Sequence, residues 1–177
     1  EGAPRPLDMC IQPGHAHVIV ITNVHGRNRL PALVKRLEAV QVRNFEVIVG
    51  IDVRSECPDY KKSGCRGVGP YAHGPGGLGC ALSHRDAWTR ALNHDWTIVL
   101  EDDAIPFVGF DTLPALPQDT DYFHMGPVRC NARGKGPCGS VVPVGPGMYG
   151  TVAYAVSRSG AQRLLAQTND LRAAIDL

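Results

Sequence analysis

Residues 17–22, His-Val-Ile-Val-Ile-Thr, form a β-branched run without polar alternation. That is the pattern of a strand buried on both faces, as in a parallel sheet. Over 28–40 the period changes: Leu30, Leu33, Val34, Leu37 and Val40 fall on one side of a helix. Residues 45–51, Phe-Glu-Val-Ile-Val-Gly-Ile, read as a second strand that ends at Asp52. Together these segments predict a βαβ unit, which crosses over right-handed. Downstream, 79–94 reads as a helix with Ala81, His84, Trp88 and Ala91 on one face. Trp96 to Leu100 is a short apolar strand, 121–125 and 151–156 are further strands, and 160–167 is a helix with Ser157 or Ser159 as its N-cap. Alternating strands and helices predict an α/β fold with a mostly parallel central sheet. No repeat or linker divides the chain, so the reading is a single domain over 17–177 after an N-terminal extension, 1–16.

Composition sharpens this. At 177 residues and 19.0 kDa, with 44% hydrophobic and 20% charged residues, the chain has the usage of one globular domain with a proper core. Eighteen Lys and Arg against 17 Asp and Glu leave a net charge of +1, which argues against nucleic acid as a partner and against a disordered polyelectrolyte. The longest apolar stretch, Val18 to Ile21, is strand-sized, so no transmembrane segment is expected. The N-terminus, Glu1 to Pro13, does not read as a signal peptide. Glycine and proline are concentrated: seven Gly and two Pro over 64–79, and seven Gly and four Pro over 126–150. These stretches read as two Gly/Pro-rich loops, here taken as mobile walls of a cleft.

Six cysteines are present, and Cys57/Cys65 and Cys130/Cys138 each enclose seven residues within or beside those loops. Two local disulfides, a four-cysteine zinc site and free thiols all remain open. Pairing would favour a secretory lumen or a viral origin, and free thiols the cytoplasm. Cys80, inside a helical pattern, reads as a small buried hydrophobe.

Glu101-Asp102-Asp103 is the one place where three acids adjoin, directly after an apolar strand. In open α/β sheets, ligands bind beyond the carboxyl ends of the strands. Side chains alternate along a strand end, so Glu101 and Asp103 should point one way and offer hard oxygen ligands to Mn²⁺ or Mg²⁺. The plainer reading is a solvated acidic turn.

These residues lie in stretches that resemble glycosyltransferase family 25, the group of procollagen galactosyltransferases and bacterial lipopolysaccharide glycosyltransferases. The matching stretches are Val20-Ile-Thr-Asn-Val with Asn28-Arg29, Val49-Gly-Ile-Asp52, Gly79-Cys-Ala-Leu-Ser-His-Arg-Asp-Ala-Trp88, Leu100-Glu-Asp-Asp103, and Gly150-Thr-Val-Ala-Tyr-Ala-Val-Ser-Arg-Ser-Gly-Ala161. Ile175-Asp176 resembles a terminal Val-Asp element. The sequence departs from the family pattern at Gly77, where a Glu is usual, at Asn28, where an Asp is usual, and in stopping at Leu177.

The resemblance implies a single GT-A-like, Rossmann-type domain that transfers a hexose, most often galactose from UDP-galactose, with inversion. Collagen hydroxylysine or a glycan or lipopolysaccharide sugar would be the acceptor. By the same resemblance, Thr22, Asn23 and Asp52 would meet the nucleotide, and Arg29 the diphosphate. Glu101 and Asp103 would hold Mn²⁺ (or Mg²⁺), while Asp102 would orient the ribose or sugar. Ser83 and His84 would serve the donor or acceptor site, and Asp176 would be the base. The alternative is a catalytically inactive glycosyltransferase-like binding module.

Overall fold

A computed structural model describes residues 16–23, 28–106, 120–125 and 151–168. Among these residues ten elements follow one another: β1 (His17–Thr22), α1 (Leu30–Ala39), β2 (Glu46–Val49), α2 (Val53–Glu56), α3 (Tyr60–Ser63), α4 (Pro75–Ala91), β3 (Trp96–Glu101), β4 (Tyr122–His124), β5 (Ala153–Ser157) and α5 (Arg158–Gln167). The strands form one sheet in the order β2-β1-β3-β5-β4. β1 is parallel to β2, with Thr22 opposite Val49, and parallel to β3, with Ile21 opposite Glu101. The apolar strands therefore bring Thr22, Glu101 and the residues after Val49 to one end of the sheet.

The sheet is mixed rather than purely parallel: β1, β2, β3 and β4 run one way and β5 is reversed. β5 is antiparallel to both its neighbours, with Ser157 opposite Trp96 and Tyr154 opposite His124. Its pattern misled because an antiparallel strand covered on both faces is as continuously apolar as a parallel one. β5 ends beside the start of β3, and α5 leaves from there to pack on α4.

Each strand divides its side chains between two layers. Val18, Val20, Ile98 and Leu100 meet Leu33 and Leu37 of α1 on one face. Ile19, Ile21, Val99 and Tyr154 meet Ala87, Trp88 and Ala91 of α4, together with Ala161 of α5, on the other. The N-cap of α5 is Ser157, whose hydroxyl accepts from the Gly160 amide.

The first Gly/Pro-rich stretch is packed, not loose. α4 starts at Pro75, a turn before the predicted 79, and ends at Ala91 rather than 94. A proline in the first turn costs no helix hydrogen bond, so the glycines behind it still enter a helix. α2 and α3, which hydrophobic patterning did not reveal, are one-turn helices joined to this stretch by a Cys57–Cys65 disulfide. Val53, Tyr60, Val68, Tyr71 and Leu78 form a satellite core around it. The second stretch, 126–150, and Cys130/Cys138 lie outside the described residues. Among the described residues, no helix is long and apolar enough to cross a membrane.

Candidate active site

A cleft of about 250 Å³ opens where β1, β2 and β3 end, and the first turns of α4 form its opposite wall. Close approach of α4 makes this wall. A Cβ on Gly79 would lie 2.5 Å from the Ile51 carbonyl oxygen, closer than any side chain allows. Ser83, one turn on, accepts a hydrogen bond from the Ile51 amide at 2.9 Å and donates one to the Gly79 carbonyl at 2.6 Å. The Gly50 amide completes the seam by donating to the Thr22 carbonyl at 2.6 Å. Ser83 thus lines the cleft with its hydroxyl committed in both directions, as the fastener between α4 and the end of β2.

Asp102 is buried, at 4% exposure. Burying a carboxylate is costly unless charge and hydrogen bonds answer it. Thr22 Oγ1 donates to its Oδ2 at 2.7 Å, and Arg29 Nη2 stands 2.8 Å from its Oδ1. Arg29 also reaches Asp103 Oδ2 at 3.3 Å. The guanidinium, half exposed at the cleft, is held by two carboxylates from the turn after β3. Its planar fork presents fixed donors, which suits recognition of phosphate oxygens.

Glu101 points into a different network. His84 Nε2 lies 3.3 Å from Glu101 Oε1, and the Thr151 hydroxyl donates to the same oxygen. Behind His84, Nδ1 is 2.9 Å from the Tyr154 hydroxyl, which receives Trp88 Nε1–H at 2.8 Å. Trp88 can only donate. The Tyr154 hydroxyl therefore accepts from Trp88 and is free to give its own proton to His84 Nδ1. That assigns the neutral ring its proton at Nε2, aimed at Glu101. Burial opposes ionisation of Glu101, but the hydrogen bonds from His84 and Thr151 outweigh it and hold the carboxyl below its ordinary range. For His84, burial disfavours the charged form, and the neighbouring Cys80 sulfur and Glu101 carboxylate reverse this and raise its pKa. Cys80, one turn before His84, is exposed rather than buried, because its side of α4 faces the cleft instead of the sheet. Its Sγ lies 4.0 Å from Thr151 Oγ1.

The structure gathers most of the residues singled out in the sequence. Asn23, Arg29, Asp52, Ser83, His84, Glu101 and Asp102 line the cleft, and Thr22 sits behind Asp102. Asp52 caps α2, its carboxylate accepting the Arg54 amide at 3.1 Å. Asp103 is exposed and turned to Arg29, while Glu101 is turned to His84 and Thr151. Asp176 lies outside the described residues. Pattern reading passed over Cys80, Thr151 and Tyr154. The Cys80/His84 pair, four residues apart on a helix, was the one signal available for them in the sequence; Thr151 and Tyr154 reach the site only through the pairing of β5 with β3.

Residues 72–112 match the model of Glycosyltransferase family 25 (LPS biosynthesis protein). The segment contains α4, β3 and the acidic turn, and over it the resemblance read from the motifs is borne out. Among curated proteins, none matches the chain.

Proposed function

From the family match over 72–112, which supports a glycosyltransferase acting on a sugar donor and an acceptor, we propose a metal-dependent hexosyltransferase. In this reading a GT-A-like domain moves galactose, with inversion, from UDP-galactose to a hydroxyl of hydroxylysine or of a glycan or lipopolysaccharide sugar. The observation that carries it is the convergence of Arg29, Asp52, His84, Glu101 and Asp102 on one cleft at the carboxyl ends of parallel strands. Arg29, braced by Asp102 and Asp103, would take the diphosphate oxygens. Asn23 and Asp52, at the ends of adjacent strands, would meet the nucleoside. Ser83 would keep the wall closed beside the donor.

In this reading Glu101 and Asp103 would hold a hard divalent ion, although they do not point one way as the strand alternation predicts: Glu101 is turned to His84 and Thr151 and Asp103 to Arg29, so both side chains would have to turn. Among the described residues, both side-chain hydrogen bonds to Glu101 fall on Oε1 and leave Oε2 open. Oxygen donors of this kind suit Mn²⁺ or Mg²⁺. What such an ion supplies is charge neutralisation at the departing diphosphate. Asp176 would be the base that takes the acceptor hydroxyl proton.

One observation favours the inactive binding module: Arg29 already pairs with both Asp102 and Asp103, offsetting part of the charge that would hold a cation. Incubation of the full chain with a panel of UDP-sugars and Mn²⁺, reading UDP release and UDP-sugar binding, separates the two. Turnover that is lost in Glu101→Ala supports the transferase. Binding without turnover supports the module, and absence of both overturns the donor-site reading.

A further inference from the structure

Cys80, His84 and Glu101 bring one sulfur, one nitrogen and one oxygen to a single point of the cleft, all within 4.8 Å of one another. We propose that they form a tripodal site for a borderline-soft divalent cation of the zinc class. Cys80 and His84 are one turn apart on α4, so their side chains share a helix face. Glu101 meets them from the end of β3, with Oε1 3.3 Å from His84 Nε2.

Bonds of about 2.0–2.3 Å in a tetrahedral zinc site set ligand atoms roughly 3.3–3.8 Å apart. The histidine and carboxylate are already at that spacing. Cys80 is exposed, and a turn of its side chain closes the remaining distance. All three residues line the cleft, so an ion has an entry path and a fourth position open to water or ligand.

Support behind the ligands is also in place. A metal-binding imidazole needs its other nitrogen protonated and held by an acceptor. The Tyr154 oxygen, 2.9 Å from His84 Nδ1, becomes that acceptor once its hydroxyl proton, given to Nδ1 in the metal-free protein, turns away. Binding at Nε2 moves the imidazole proton to Nδ1 and releases the thiol proton of Cys80 to solvent, so affinity rises with pH. Thiolate and imidazole select zinc and cobalt over magnesium. Occupation would also withdraw Glu101 from a hard cation and thus inhibit the transfer proposed above. That consequence rests on the transferase reading, whereas the site itself does not, and the test below reads the cation alone.

Titration of the full chain with Co²⁺, its Cys57–Cys65 disulfide intact, is the test. The expected result is a thiolate-to-cobalt absorption band with tetrahedral ligand-field bands that saturate at about one equivalent. The band disappears in Cys80→Ser, and apparent affinity falls tenfold or more in Glu101→Gln, both with unchanged far-ultraviolet circular dichroism. Zn²⁺ displaces the cobalt, and a large excess of Mg²⁺ does not. No band in the wild type, the same band in Cys80→Ser, or displacement by Mg²⁺ at concentrations comparable to Zn²⁺ overturns the proposal.

Discussion

Tyr154 is wholly buried, and its hydroxyl bridges Trp88 and His84 by hydrogen bonds. Tyr154→Phe would leave a buried indole N–H and a buried imidazole nitrogen without partners. At about 1–3 kcal/mol for each unsatisfied group, the loss should be about 2–4 kcal/mol in urea unfolding. Thr22→Val is the milder counterpart on the other face. It removes the hydroxyl at 2.7 Å from buried Asp102 but keeps Arg29, and should cost about 1–2 kcal/mol. The His84–Glu101 pair also sets a pH window. Folding raises the His84 pKa above its ordinary 6.5, so that contribution is complete below 6.5 and is lost as pH rises through the folded value. Folding lowers the Glu101 pKa below its ordinary 4.5, so that contribution is complete above 4.5 and is lost as pH falls through the folded value. The joint contribution is therefore greatest between the two ordinary values. Unfolding free energies measured across pH should show this maximum in the wild type and a flatter profile in Glu101→Gln.

At the scale of elements, the position of α4 decides whether there is a cleft wall. Gly79 packs its backbone on the Ile51 carbonyl, and the obstacle a methyl would meet is main chain, which does not swing aside. Gly79→Ala should cost about 1–3 kcal/mol by overpacking and push the first turns of α4 away from β2. Gly76, in the same turn of the helix, meets nothing within 4 Å, and Gly76→Ala should be neutral or stabilise by up to about 1 kcal/mol. Opposite signs for two Gly→Ala changes three residues apart, read by thermal unfolding, would establish that close approach rather than helix propensity holds Gly79. The sequence could not separate these two glycines, because both stand in one Gly-rich run and the distinction lies in a neighbour 28 residues away along the chain. What it did reveal was the βαβ start and the burial of Ala81, His84, Trp88 and Ala91 along one side of α4, since those follow from side-chain period alone. The reversed direction of β5 was hidden because hydrophobicity carries no sign of strand direction.

For the molecule as a whole, the cleft has a rigid side that composition disguised. Seven glycines over 64–79 suggested a mobile loop, yet Tyr71 is fully buried, Val68 is 3% exposed, and Tyr60 donates to the His73 carbonyl at 3.1 Å. Aromatic and aliphatic anchors spaced between glycines pin the chain, and the glycines supply the turns between them, as at Gly64 with φ of 76°. The acids of the site were legible because they adjoin one another, and the Cys57/Cys65 pairing was one of three readings the spacing allowed. The structure forms that disulfide. It closes a short loop beside the satellite core, so its stabilisation comes from the entropy it removes from the unfolded chain. For a loop of this length that amounts to about 2.5 kcal/mol. Because Val53, Tyr60, Tyr71 and Leu78 share this core with Ala81 and Leu82 of α4, the loss should spread to the cleft wall. Cys57→Ser combined with Cys65→Ser should lower the urea midpoint by an amount equivalent to about 2–3 kcal/mol. In the same variant, limited proteolysis should cut first within 58–74, where the wild type resists. Equal stability and equal resistance in both proteins would show that the aromatic anchors hold this wall without the disulfide.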